Sequence, residues 1–222
     1  MLLRAAQFLS FVFHPLLILT YILVVWLLLN PYEFGVYGIR DGQAHFLIGV
    51  TFLTTFVIPG MCVLIMYKLE MVDSWTLRDK RDRVGPFIIT GVLYLWMFLQ
   101  FNGSSVLPRA FAVFTLGIVL ALLVGFLVTL FDKISLHAMG MGGLVGMLVL
   151  TLALSDYHLI AVDPPIFGFE EISLVYLILG GVLFAGLVGT ARLLLRAHRP
   201  DQVYGGYLVG FATQFVALLI LN

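Results

Sequence analysis

The sequence has little charge and a single cysteine. Only 11% of its 222 residues are charged, and 12 Lys and Arg residues balance 12 Asp and Glu residues. So low a share of charge excludes an ordinary soluble domain. Cys62 lies within an apolar stretch and has no second cysteine to pair with, which excludes an intrachain disulfide. No Ser- or Pro-rich linker divides the chain, so we predict one domain over residues 1–222, without a soluble domain and without a nucleic-acid partner.

Apolar residues supply 62% of the chain, and the mean hydropathy is +1.10. At about 20 residues per span, the length leaves room for roughly six to eight membrane helices. We therefore predict an all-α polytopic membrane protein, a single bundle of about seven transmembrane helices in a lipid bilayer. Arg4 precedes the first apolar run, but no small-residue cleavage site follows, which favours a retained span over a signal peptide. The predicted spans are Phe8–Asn30, Ala44–Tyr67, Val84–Phe101, Arg109–Phe131, Leu136–Ser155, Ile172–Leu195 and Val203–Leu221.

The cations are concentrated on one face of the predicted bundle. With seven spans, ten of the twelve Lys and Arg residues fall on the face that holds the N-terminus: Arg4, Lys68, Arg78, Lys80, Arg81, Arg83, Lys133, Arg192, Arg196 and Arg199. The other face has Arg40 and Arg109. The positive-inside rule makes the basic face cytoplasmic, and we expect a bacterial cytoplasmic membrane.

Histidines and helix starts join the cations on this face. His137 lies at the start of the fifth span, His198 just before the seventh, and His14 on the same side in the first. The third, fifth and seventh spans begin here, and helix N-termini attract anions. Ser135 stands where an N-cap of the fifth span is expected. Arginines, lysines and histidines together are suited to transferring a phosphoryl group without a metal.

The segment from Arg192 to Val203 resembles the third motif of the type 2 phosphatidic acid phosphatases, the superfamily of lipid phosphate phosphatases and vanadium haloperoxidases. Five residues separate Arg192 from His198, as in that motif, and four downstream positions of the family reappear: Pro200, Val203, Gly206 and Gly210. Gly206 and Gly210 are also one helical turn apart, which lets a neighbouring helix approach closely. The resemblance covers roughly residues 78–212.

The other two motifs are less complete. Ser135 and His137 keep the spacing of the second motif, while Ile134 and Leu136 replace its Pro and Gly. The first motif is degenerate in residues 79–86, which are basic and end in a proline. Ala191 replaces the serine of the third motif. Gln202 occupies the position of the aspartate that orients the histidine, and Asp201 lies one residue early. Gln202 can orient the ring but supplies no charge, so we expect slower turnover unless Asp201 substitutes for the carboxylate.

The resemblance implies a metal-independent phosphatase of lipid phosphates or pyrophosphates, without a cofactor. His198 would attack phosphorus and form a phosphohistidine, and His137 would protonate the leaving group and then activate water. The residues implied to bind phosphate oxygens are Arg192, Ser135, Lys80 and one or both of Arg81 and Arg83, with Lys133 as a further contact. The resemblance leaves the oligomeric state open.

Three alternatives stay open from the sequence. A catalytically silent relative would serve as a binding or scaffold protein, consistent with Gln202 and Leu136. A Mg²⁺-dependent polyprenyl transferase would use Asp-rich clusters, and Asp73, Asp79 and Asp82 resemble one of them. A transporter would bury ionisable residues at mid-membrane, where the predicted spans are nearly free of charge.

Overall fold

Seven helical stretches determine the architecture of the chain. The computed structural model describes residues 1–74, 77, 79, 81–104, 107–154, 159–166 and 169–222. Within them, seven stretches are long and apolar enough to cross a membrane: Leu2–Leu29, Gly42–Lys68, Arg81–Asn102, Arg109–Phe131, Leu136–Leu154, Leu174–Leu194 and Pro200–Leu221. The chain is therefore a multi-pass integral membrane protein of the all-α class, as the sequence predicts.

The helices follow the predicted spans, and the largest differences are at the starts of the first and the last. They are α1 Leu2–Val12, α2 Ile18–Leu29, α3 Gly42–Phe52, α4 Ile58–Lys68, α5 Val84–Asn102, α6 Arg109–Phe131, α7 Leu136–Leu154, α8 Leu174–Leu194 and α9 Pro200–Leu221. The first stretch begins at Leu2 rather than Phe8. The last begins at Pro200 rather than Val203, because proline is favoured at the first position of a helix.

Prolines interrupt the first two stretches. Pro15 separates α1 from α2 with a 3₁₀ turn over Pro15–Leu17, and the His14 side chain caps this turn by accepting from the Leu16 N–H at 3.4 Å. In the second stretch, a five-residue π-helical turn over Leu53–Val57 precedes Pro59. Proline lacks an N–H and its ring crowds the carbonyl four residues earlier, so both breaks follow from local chemistry.

A β-hairpin connects α7 to α8, and the sequence does not predict it. Strand β1, Leu159–Ile166, pairs antiparallel with β2, Phe169–Ser173, with Leu159 opposite Ser173. The main hydrophobic core lies among α2, α5, α6 and α7, where Trp26, Tyr94 and Phe111 are buried. The hairpin follows α7, whereas the polar residues considered below lie at the other end of that helix.

Helices α7 and α9 pack against each other more extensively than any other pair of described helices. A Cβ atom at Gly206 would lie 2.7 Å from the Ser135 carbonyl oxygen, and one at Gly210 would overlap the Met139 carbonyl oxygen. The close approach predicted at these two glycines is confirmed. It sets the first half of α9 directly against the first turns of α7.

Candidate functional site

The polar residues that the sequence singles out gather at one end of the bundle. Arg192 is in the last turn of α8, His198 lies between α8 and α9, and His137 is the second residue of α7. An open depression of about 620 Å³ lies at this end. Its lining residues are Asp132, Lys133, Leu193, Arg196, Ala197, His198, Arg199, Pro200 and Gln202.

His198 is held by the first turn of α9. Its Nδ1 lies 3.2 Å from Gln202 Oε1, which also accepts the Arg199 backbone N–H at 3.2 Å. The Gln202 amide nitrogen donates in turn to Asp132 Oδ1 at 3.1 Å. Gln202, at the position where the resemblance expects an aspartate, thus contacts the histidine. The Asp132 carboxylate, from the loop before α7, in turn binds Gln202.

His137 contacts the first stretch of the chain. Its Nε2 lies 3.0 Å from the Ser10 carbonyl oxygen, and because a carbonyl only accepts, Nε2 carries the proton of this bond. The Nδ1 atom is then the ring nitrogen left for chemistry. The ring of His14 stands edge-on to that of His137, with centroids 5.6 Å apart.

Arg192 lies among these histidines. One terminal nitrogen of its guanidinium donates to Ser10 Oγ at 3.3 Å, while its buried Nε–H has no hydrogen-bond partner among the described residues. The charge of Arg192 interacts electrostatically with His14, His137 and His198. A buried donor without an acceptor, surrounded by groups that also carry or accept protons, is suited to an anion.

The remaining predicted phosphate ligands differ in position. Arg83 donates to the Leu77 carbonyl at 2.9 Å and to the Ile134 carbonyl at 3.3 Å, and its charge acts on His198. Lys133 lines the depression. Ser135 is fully buried and its Oγ accepts from the Ala138 N–H at 3.4 Å, which confirms the predicted N-cap of α7.

Of the predicted phosphate ligands in the described part of the chain, Lys133 lines the depression, whereas Arg192, Arg83, Ser135 and Arg81 do not. Arg81 is exposed, and its backbone N–H donates to Asp79 Oδ1 at 2.9 Å. Lys80 lies outside the described residues. The phosphate-binding roles of Lys80, Arg81, Lys133 and Ser135 stay predictions.

Asp201 does not substitute for the carboxylate that the resemblance expects beside His198. Its carboxylate pairs with Arg199 at 2.8 Å, and Asp132 pairs with the same guanidinium at 2.7 Å. Gln202, rather than Asp201, faces the His198 ring. In the described part of the chain, no three His, Cys, Asp or Glu side chains are grouped to hold a metal ion.

Two residues of this site, Asp132 and Ser10, were not predicted, and His14 was predicted on the same face without a role. Asp132 could have been found by searching the loops of the same face for the carboxylate missing at position 202, since it lies three residues before Ser135. Ser10 and His14 belong to the first stretch, which the motif resemblance does not cover. His14 reaches the site because the break at Pro15 leaves its side chain outside regular helix.

The pKa of His198 is lowered to about 4, chiefly by burial and then by the positive charges of Arg192 and Arg83, while the hydrogen bond with Gln202 opposes the shift. Loss of charge at neutral pH makes the ring a nucleophile. We expect the neutral fraction to remain high as pH falls from 7 to 5 and to decline through about 4. Carbethoxylation of His198 by diethyl pyrocarbonate, followed by mass spectrometry, measures that fraction. A reactivity midpoint near 6.5 would contradict the expected shift, whereas Arg192→Gln should raise the midpoint.

No protein-family model, curated protein or solved structure matches the chain. The chemistry of the site is therefore inferred from its own residues.

Proposed function

We propose that the chain is a metal-independent phosphatase of lipid phosphates or pyrophosphates, which acts through a phosphohistidine at His198. The observation that carries the proposal is the guanidinium of Arg192. Its buried Nε–H has no acceptor among the described residues, and its charge acts on three histidines from separate segments, His14, His137 and His198. A phosphate oxygen would accept from this donor and offset the charge.

The two catalytic histidines would act in sequence. His198 Nε2 attacks phosphorus while the bond from phosphorus to the leaving oxygen breaks, and protonated His137 gives its proton to that oxygen. Water then attacks the phosphohistidine, gives a proton to neutral His137, and the phosphorus–nitrogen bond breaks. The sum is one water and one lipid phosphate converted to lipid alcohol and inorganic phosphate. Arg192 and Arg83 would stabilise the transferring group electrostatically.

The surroundings of the site favour a lipid substrate. Large apolar side chains are exposed along the spans, for example Leu179, Leu183 and Leu187 on α8. A molecule with an anionic headgroup and an acyl or prenyl chain would place its headgroup at the ends of α7, α8 and α9 and its chain in the bilayer. Phosphatidate, phosphatidylglycerol phosphate and polyprenyl pyrophosphate fit this description. We propose a bacterial inner membrane with the site on the cytoplasmic side, and the excess of Lys and Arg on the site-bearing face supports that orientation.

Phosphate release from a panel of these lipids, in mixed micelles with and without EDTA, tests the proposal. We expect release by the purified wild-type chain in EDTA. Arg192→Gln should lower the rate by about 10²–10³-fold, since a positioned donor to the transferring group is lost. Arg4→Gln is the matched control, because Arg4 is an exposed cation on the same face outside the site, and its rate should equal that of the wild type.

The other outcomes separate the alternatives. Turnover that requires Mg²⁺ and transfers a prenyl group would replace the proposal with a polyprenyl transferase. Binding of lipid phosphate without turnover would indicate a silent relative. Equal rates for Arg192→Gln and wild type would contradict the role of Arg192.

A further inference from the structure

We infer that Asp132 is a positioning residue, which determines through Gln202 which ring nitrogen of His198 carries the proton. The inference rests on the proposed function, in which His198 is the nucleophile. It concerns a residue outside the three motifs that carry the resemblance, in the loop between α6 and α7.

The partners of Gln202 leave its amide one orientation. The Asp132 carboxylate only accepts hydrogen bonds when ionised, so the group that faces it must be the amide NH₂. The Arg199 backbone N–H only donates, so the group that faces it must be the amide oxygen. Both contacts select the same orientation, with Oε1 toward His198.

That orientation selects the tautomer of His198. Gln202 Oε1 has no proton to give, so the 3.2 Å contact with Nδ1 requires Nδ1–H. The Nε2 lone pair is then free to attack phosphorus. Without Asp132, only the Arg199 N–H would favour this orientation, and a reversed amide would donate to Nδ1 and place the proton on the attacking nitrogen.

Asp132 is held ionised for this task. Its pKa lies below the ordinary value, chiefly because the Lys133 backbone N–H donates to Oδ1 at 2.7 Å, with further contributions from Arg199 and Gln202. The Lys133 N–H and Gln202 thus share one carboxylate oxygen, while Arg199 takes the other. Asp132 thus supplies the carboxylate that position 202 lacks, and it acts on the His198 ring through Gln202 rather than directly.

Asp201 provides a matched control for Asp132, because both carboxylates bind Arg199. Asp201 pairs with Arg199, as Asp132 does, but Gln202 Nε2 donates to Asp132. Asp132→Ala removes an arginine partner and the contact with the Gln202 side chain, whereas Asp201→Ala removes an arginine partner and leaves that side-chain contact in place. The double variant Asp132→Asn/Gln202→Glu exchanges amide and carboxylate at nearly constant volume, so that the carboxylate now accepts from His198 Nδ1–H and from the amide of residue 132.

Nitrogen NMR of ¹⁵N-histidine-labelled protein in micelles at pH 7 reads the tautomer without any substrate. The His198 signal is assigned by its loss in His198→Ala. We expect Nδ1–H in the wild type and in Asp201→Ala, a rise in Nε2–H in Asp132→Ala, and a return to Nδ1–H in the double variant. Phosphate release should follow the tautomer, with kcat of Asp132→Ala about tenfold lower at unchanged KM, as the loss of one charge-assisted hydrogen bond predicts.

Each outcome decides the inference. Predominant Nε2–H in the wild type would overturn it without any variant, and so would an unchanged tautomer in Asp132→Ala. The expected tautomers in a protein that releases no phosphate would uphold the role of Asp132 in setting the ring and reject the proposed phosphatase. Normal phosphate release with a tautomer insensitive to Asp132 would do the reverse.

Discussion

Replacing His198 with alanine should lower phosphate release by about 10⁴-fold or more, a loss of the size seen when a covalent nucleophile is removed from an enzyme. The variant should also fail to form an acid-labile, alkali-stable phosphoprotein with a ³²P-labelled lipid phosphate. The reason is geometric. Gln202 holds Nδ1–H at 3.2 Å, which leaves the lone pair of Nε2 available for attack, and alanine has no atom that could replace it.

The matched control for this variant is His45→Ala. His45 is exposed and lies in α3, near the start of the second stretch. The chain topology puts this end of the stretch on the face opposite the site. Replacement of His45 should leave both the rate and the phosphoprotein unchanged. Phosphate release by His198→Ala at the wild-type rate would reject His198 as nucleophile. A phosphoprotein that persists in His198→Ala and disappears in His137→Ala would assign the covalent step to the other histidine.

The fold could be predicted from hydropathy because the membrane requires long apolar helices, which leave a strong pattern in the sequence. The ends were less predictable, as α1 shows by starting at Leu2. The mean hydropathy of a sequence window does not show at which residue helical hydrogen bonding begins. The β-hairpin lies in a connection without such a constraint, so the hydropathy pattern does not predict it.

The site was predictable as far as its residues lie at fixed motif spacings. His137, Arg192 and His198 come from separate segments, and the structure brings them within electrostatic range of one another. Ser10 and Asp132 were missed for a physical reason. Each acts by a contact between distant segments, Ser10 on Arg192 and Asp132 on Gln202, and such contacts depend on how helices pack rather than on local pattern.

The packing that makes these contacts should be sensitive to one methyl group. In Gly210→Ala, the new Cβ would overlap the Met139 carbonyl oxygen. Because a backbone atom cannot change rotamer as a flexible side chain can, α7 and α9 must separate. Overpacking of this kind costs about 1–3 kcal/mol. We expect the unfolding midpoint in detergent to fall by roughly 2–12 °C.

Separation of α7 from α9 would also disturb the site, because the Ser135 N–H donates to the Gln202 carbonyl at 3.2 Å across this interface. Gly210→Ala should therefore lose phosphate release even at temperatures where it stays folded. Gly205→Ala is the control, since a Cβ there meets nothing within 4 Å, and alanine favours helix over glycine by about 1 kcal/mol. A Gly210→Ala protein as stable and active as Gly205→Ala would contradict the close contact of α7 and α9, and with it the assembly of the site from the two helix starts.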